Sequence, residues 1–461
     1  MKKKTFPDKS VIKEVSNHIS RSGEAQLTEE VIIKAKHHIL DTIAAVVSGS
    51  KLKPGLLAKK YVDSQGGVQE AQVLGSSIIT SAINAAFANG IMAHADETDD
   101  SHAKSRTHPG CAVVPAALSI SEREAADGMS FLKGVVVGYD LGCRITRALW
   151  EDTLRQVPAP ANSSHSIGGN FGAAAAAAAI LKLKSDHVRY VLSYVGQQSS
   201  GVRYWLRDEE HIEKAFVFGG MPARNGVTAA ILIQSGFTGV WDPFSGDPSF
   251  FEAFSSHSRP ELLIEGLGSR YEIMSTNIKK FSVGSPIQAA LDALLLLIDK
   301  HGLTDKNVKS IVARLPDYGA RTVNDRDMPD INLQYILAVT LLDGDLTFEA
   351  AHSFERMNDP AVLEIKKHIE LVEDPVLSAA KPIRQSIVEV IKKDGTKFRE
   401  HVINVRGTAE NPMATAEIEK KCMELMAPVL GKERTQKLID MIWNLEQVRN
   451  LCELRPFLST S

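Results

Sequence analysis

Cysteine is scarce in this chain: four residues, Cys111, Cys143, Cys422 and Cys452, with no CxxC pair among them. That scatter fits reduced thiols in a cytoplasmic protein better than a disulfide frame or a zinc site. Long apolar runs are missing too. Ala173 to Leu181 is too short and too alanine-rich to cross a bilayer, so no membrane partner is expected. The basic start, Met-Lys-Lys-Lys-Thr-Phe-Pro, is followed by no apolar stretch, which argues against a secretory signal. Neither sign of charge dominates, with 53 Lys and Arg against 56 Asp and Glu. No basic stripe invites nucleic acid, and no like-charge run forms a tail. The 461 residues carry no internal repeat and are long for one domain, so two are expected.

Charge is instead concentrated in one place. Residues 94 to 110 hold Asp96, Glu97, Asp99 and Asp100, the imidazoles His94, His102 and His108, and the cations Lys104 and Arg106. Apolar, alanine-rich, helix-like sequence lies on both sides. Charge at this density between apolar segments is costly to bury unless it is paired or useful; a solvated loop between two helices is the plainer alternative. Pro109 disfavours helix at His108 and so pins that imidazole's backbone.

The rest of the chain reads mostly as helix. Glu24 to Val47 has apolar residues at helical spacing, and Thr80 to Ala93 is helical with small side chains. Gly128 to Leu149 contains Gly138, Gly142 and Arg144. The glycines suit close approach of a helix or a ligand, and a buried Arg144 wants either an anion or an internal salt bridge. Residues 150 to 163 read as a loop. Ser164 to Gly172 reads as glycines leading into a helix, where free N–H groups can meet an anion. The spacing is not GxGxxG and no strand precedes it, which excludes a dinucleotide site. Trp205 to Ala215 includes Glu213-Lys214-Ala215, and Lys214 before a second glycine-rich helix start at Gly219–Gly226 repeats the weak anion signal. After Asn277 the grammar changes. Val308–Leu315 and Ser386–Ile391 alternate as half-buried strands do, and Asp394-Gly395 marks a hairpin to Lys397–Val405, with helices at 332–342 and 347–357 between. This middle part is an α+β module, and after Pro412 the chain reads as helix again to Leu451.

Taken in order, several landmarks resemble the MmgE/PrpD family, which includes 2-methylcitrate dehydratase, cis-aconitate decarboxylase and iminodisuccinate epimerase. They are Asn89-Gly90 and His94 through Asp99-Asp100 to His108-Pro109; Gly138-Tyr139 to Arg144; Gly169-Asn-Phe-Gly172 with its alanines; Lys214 ahead of Ala223-Arg-Asn-Gly226; Ile278-Lys279-Lys280-Phe281; Gln334-Tyr335 before Leu342-Asp343-Gly344; and Asp394-Gly395 with Asn411-Pro412-Met413. The resemblance covers nearly the whole chain. It implies a mainly helical fold with a large all-helical domain, 1–272 with 410–461, and an inserted smaller α+β lid domain, 273–409; it also implies a homodimer, and a site between the domains that needs no metal or organic cofactor. By position it implies Asp99, Asp100 and Ser101 in the site, His108 as the motif histidine, Lys214 as the site lysine, Lys279 as the lysine opening the lid and Tyr335 as the lid tyrosine. The spacing from Lys214 to Arg224 is one residue longer than the family's. Glu97 stands at the family's usual acid, with an unusual Asp96 beside it. Ser163 stands where the family often has a histidine, with His165 two positions on, and the lid histidine or cysteine is replaced around Gly284-Ser285.

Family chemistry begins with loss of a proton or of CO2 beside a carboxylate, and the resulting charge must be met by fixed cations and donors. Lys214, Lys279 and Arg144 are the residue types to clamp a di- or tricarboxylate, with Glu97, Asp99, Asp100, Ser101, His102, Ser163 and His165 around it. His108 can give or take a proton near neutral pH, and Tyr335 can protonate a leaving hydroxyl or a carbanion. The leading expectation is a cofactor-independent dehydratase of a 2-hydroxy polycarboxylate such as 2-methylcitrate, with an epimerase or a decarboxylase as alternatives. A metal site on His94, Asp99, His102 and His108 is a rival, but the spacing fits neither HExxH nor a calcium loop. A non-catalytic carboxylate-binding helical protein is another. Cys111 reads as a small core residue.

Overall fold

A computed structural model describes residues 10–151 and 161–460. Most of the loop expected at 150–163, and the basic start, lie outside the described residues. The chain divides into a helical unit, residues 1–95, 99–276 and 418–461, and an α+β unit, residues 96–98 and 277–417. A large helical domain and a smaller α+β domain are what the sequence calls for.

The helical unit is built on close backbone approach. Helix Ser164–Ile180 has an alanine run that is 1% exposed or less from Ala173 to Ala178. It packs against helix Gly128–Trp150, where a Cβ on Gly142 would stand 2.7 Å from the Gly168 carbonyl oxygen. The glycines at 138, 142, 168 and 172 therefore serve helix crossing. The chain enters the helix at Ser164, with Ser163 as its N-cap, so Gly168, Gly169 and Gly172 are interior to it. The expected anion-binding glycine turn at this point is thus replaced by packing.

The second glycine-rich start is corrected in the same way. Residues 212–234 form one continuous helical run: Ile212–Ala215 is α, Phe216–Gly220 is a π-helical turn, and Met221–Gln234 is α again. Gly219 and Gly220 sit inside this run, where a Cβ on Gly219 would fall 1.9 Å from the carbonyl oxygen of Gly90 on helix Ala82–Ala93. The run is long and apolar enough to span a membrane by composition, but 72% of its apolar window is buried within the fold. Trp205 lies in a short 3-10 turn, Arg203–Arg207, outside any α-helix. Strands β1 (Ala71–Gln72) and β2 (Ile79–Thr80) form a small antiparallel pair.

In the α+β unit, strands β3 (Val308–Leu315), β4 (Ile369–Glu373), β5 (Ser386–Lys392) and β6 (Lys397–Val402) run in the order β4-β3-β5-β6. β3 pairs parallel to β4, Ile311 opposite Ile369, and antiparallel to β5, Ala313 opposite Val388. The β5–β6 hairpin turns at Gly395, whose φ of 88° favours glycine. Helix Leu333–Asp343 is apolar on all sides and accordingly buried from Leu333 to Leu341.

Candidate active site

The acidic segment begins where helix Ala82–Ala93 stops at His94 and ends where Pro109 starts helix Gly110–Arg123. Both flanking helices are apolar, so the loop between them is drawn into the interior, and Asp99, Asp100 and His94 have no solvent exposure. Buried charge must be paired, and each group here is.

Neighbouring acids do different work. Asp100 accepts from the Gly110 backbone N–H (3.0 Å), the Tyr139 hydroxyl (2.6 Å) and His38 Nδ1 (2.7 Å). It fixes the start of the helix that follows His108–Pro109 and faces side chains from two other helices. Burial holds the His38 pKa down, against its bond to Asp100, and pushes the Tyr139 hydroxyl well up. Asp99 instead spans two imidazoles: Oδ1 lies 3.0 Å from His108 Nδ1 and Oδ2 lies 3.0 Å from His94 Nδ1. A carboxylate in this position sets the tautomer of both rings, placing the proton of each neutral imidazole on Nδ1.

Around this pair the π-helical turn delivers Phe218. Its ring is stacked on His94 (4.3 Å between centroids, 15°) and on His165 (3.8 Å, 14°). His108 lies 5.1 Å from His94 and 5.2 Å from His165 between ring centres. The Lys214 ammonium stands 5.5 Å from the centre of the Phe218 ring and 5.8 Å from that of Trp205, and its backbone N–H is tied to the Asp208 carboxylate at 2.8 Å. Desolvation, then the nearby His108, His94 and Lys214, drives the His165 pKa well below the usual imidazole value. The helical unit therefore brings together Asp99, His108, His165 and Lys214 of the expected residues, and adds His94 in the pair. The π turn lies between Lys214 and Arg224; such a turn holds one more residue than an α turn and is common at functional sites.

Several expected residues have other partners. Arg144 is fully buried. Its Nε pairs with Asp140 (3.2 Å), and its terminal nitrogens donate to the carbonyls of Glu265 and Arg270 (2.7 Å each). The internal salt bridge, and not a substrate anion, occupies it. His102 is likewise engaged: Nδ1 meets the Ser105 hydroxyl at 2.7 Å and Nε2 meets Glu272 at 3.2 Å. Burial opposes its charge, but Cys143 and Glu272 outweigh that and lift its pKa to about 9, while His102 and Arg147 hold Glu272 down to about 2 against burial. Ser163 caps its helix by accepting from the Ser166 N–H, and Ser101 is buried at 2% exposure. In the α+β unit, Tyr335 is buried in the apolar core and its hydroxyl donates to the Ala350 carbonyl at 2.5 Å. Lys279 donates to the Glu97 carboxylate (3.1 Å) and carbonyl (2.8 Å). Asp96 pairs with His352 at 2.9 Å; burial disfavours both charges, but the pairing prevails, lifting His352 to about 9 and lowering Asp96.

Three participants escape sequence reading. Trp205 and Phe218 carry no charge or motif, and His211 stands outside every motif read from the sequence. His211 has a left-handed backbone (φ 58°), an uncommon and mildly strained state for a side chain, and its ring is 5.1 Å from that of His94. As for a metal, His94, Asp99 and Cys111 each offer a donor atom within 4.8 Å of the others. The Cys111 thiol is already bonded to the His108 and Phe218 carbonyls, at 3.0 and 3.4 Å, and His102 belongs to its own network.

Comparison with known proteins agrees with this layout. The model of the MmgE/PrpD N-terminal domain matches residues 13–263, and that of the MmgE/PrpD C-terminal domain matches residues 281–447. Human cis-aconitate decarboxylase is 26% identical over 475 residues, covering 98% of this chain and 95% of that protein. A cis-aconitate decarboxylase-like protein of Aspergillus oryzae is 23% identical, covering 98% of each chain. The cis-aconitate decarboxylase of Aspergillus terreus is 23% identical over 97% of this chain and 96% of its own.

Proposed function

Because the chain belongs to the MmgE/PrpD family, we propose that it is a lyase that removes CO2 from a small polycarboxylate of the cis-aconitate type. One observation carries the reading. A single buried carboxylate, Asp99, holds two imidazoles beside a third, His165, and beside the Lys214 cation.

That arrangement supplies what decarboxylation needs. Lys214 attracts a substrate carboxylate by charge. The C–CO2 bond breaks, the electron pair stays on carbon, and it spreads into the adjoining unsaturated acid, where fixed positive charge favours it. The carbon then takes a proton from protonated His108, whose imidazolium Asp99 stabilises. His108 recovers that proton from solvent, so the balance is one CO2 out and one proton in. Dehydration of a 2-hydroxy acid such as 2-methylcitrate, the leading expectation from sequence, asks the same groups to take a proton and expel hydroxide. The relatives' names weigh toward carbon–carbon cleavage.

The experiment is turnover in D2O with cis-aconitate, 2-methylcitrate, citrate and iminodisuccinate. The expected result is CO2 release from cis-aconitate and one deuterium in the product. His108→Ala should lower kcat by at least about 10²-fold with an unchanged melting temperature. Water loss from 2-methylcitrate without CO2 release would move the assignment to dehydration, and exchange without either would move it to epimerisation.

A further inference from the structure

Beside the imidazole group one polar atom is left without a task. Trp205 lies in the segment joining helix Ser185–Gln198 to the run that begins at Ile212. Its indole Nε1 is shut away from solvent and meets no hydrogen-bond acceptor among the described residues. An indole N–H is a donor only, and when buried it normally finds a partner; Trp150 does so, donating to the Phe254 carbonyl at 3.2 Å. The same lack is seen at Trp443. What sets Trp205 apart is its neighbours.

The indole stands perpendicular to His165 (5.6 Å, 86°) and to Phe218 (4.8 Å, 90°), and the Lys214 ammonium faces it. His165 Nδ1 is also buried with no hydrogen-bond partner among the described residues. A donor-only nitrogen, an imidazole nitrogen and a cation thus border one neighbourhood. Two oxygens of one carboxylate would answer all three. The turn that carries Trp205 belongs to a connecting segment, where selectivity is commonly placed on an otherwise rigid scaffold.

We propose that Trp205 is a specificity-determining residue whose indole N–H donates to a carboxylate oxygen of the substrate that Lys214 attracts. The inference rests on the polycarboxylate reading above. A site built to donate to an oxygen rejects ligands that lack it, because the donor is then stranded.

The test compares the full-length wild type with Trp205→Phe, which keeps an aromatic face for Lys214 and removes the N–H. Kinetics are measured with cis-aconitate, and binding of the unreactive tricarballylate by calorimetry. The KM for cis-aconitate and the Kd for tricarballylate should rise about 10-fold or more, the gain typical of a hydrogen bond to a charged group. The kcat and its pH profile should move far less. Trp205→His, which returns an N–H donor, should recover part of the affinity. Should Trp205→Phe match the wild type in KM and Kd while the wild type turns over cis-aconitate, the Trp205 role fails alone. A wild type that neither binds nor converts either acid overturns the polycarboxylate reading, and this assignment with it. A Trp205→Phe protein that loses kcat and melting temperature together, without rescue by Trp205→His, assigns Trp205 to structure instead.

Discussion

Replacing Asp99 by Asn keeps the side chain's size and removes its charge. In the native site Oδ1 and Oδ2 each lie 3.0 Å from an imidazole Nδ1. An amide has one oxygen to accept with, and its NH2 only donates. One of His94 and His108 must therefore lose its bond or change tautomer, and the imidazolium of His108 loses a charged partner in either case. A hydrogen bond to a charged group contributes about 1.5–3 kcal/mol, which at about 1.4 kcal/mol per decade is roughly a 10- to 150-fold loss of kcat/KM. The assay is kcat/KM for cis-aconitate decarboxylation, with a thermal melt as control. A variant within about twofold of the wild type would refute the claim that Asp99 organises the two rings.

Gly219→Ala forces a Cβ to 1.9 Å from the Gly90 carbonyl oxygen, so the two helices must part by about 1 Å. Overpacking of this kind costs about 1–3 kcal/mol; the melting temperature should drop on the order of 5 °C, and an unchanged melt would contradict the close crossing. Lys421→Met strands the buried carboxylate of Asp41, 2.6 Å away, and breaking a buried pair costs about 3–5 kcal/mol; chemical denaturation should show this loss, and Asp41→Asn in the same chain should restore part of it. The pKa of His102 is raised from 6.5 to about 9 in the fold, so its stabilisation is complete below about pH 6.5 and lost as pH climbs toward 9. The melting-temperature gap between wild type and His102→Gln should accordingly narrow over that interval, and a constant gap would count against the His102–Glu272 pair.

Much of the architecture is legible as periodicity. Helices over 29–49, 82–93 and 128–150 follow the apolar spacing, and the β5–β6 hairpin follows alternation on both sides of Asp394-Gly395. β4 is not, because its five residues carry too little alternation to stand out between helices. In the sequence the run from 212 to 234 divides at Gly219–Gly226, which reads as a glycine-rich lead into a helix. Tertiary packing against Gly90 is what makes glycine necessary there, and Pro222 is tolerated in the first turn of the α segment after the π turn. In the site, charge density between apolar helices marks the right segment. It does not say that Asp99 holds imidazoles while Asp100 anchors a helix start. Those two acids are neighbours in sequence, and their roles are decided by His38 and Tyr139, which arrive from distant helices. Arg144 was legible as a buried cation, but the carbonyls that claim it come from residues 262–270.

The extra residue in the turn Phe216–Gly220 is taken up inside that turn. Each residue of an α-helix advances the chain by roughly 100° about its axis. Downstream, the helix is keyed in place by Gly226, whose added Cβ would meet the backbone of Ala173 and Ala174 within 2.6 Å. A π turn spreads one residue more over the same circuit, so deleting one codon inside it would restore a plain α-helix and leave Lys214 facing nearly as before, while Phe218, which lies within the turn, would lose its place against His94 and His165. What that single residue sets is the place of the ring inside the turn, and not the direction of the cation before it.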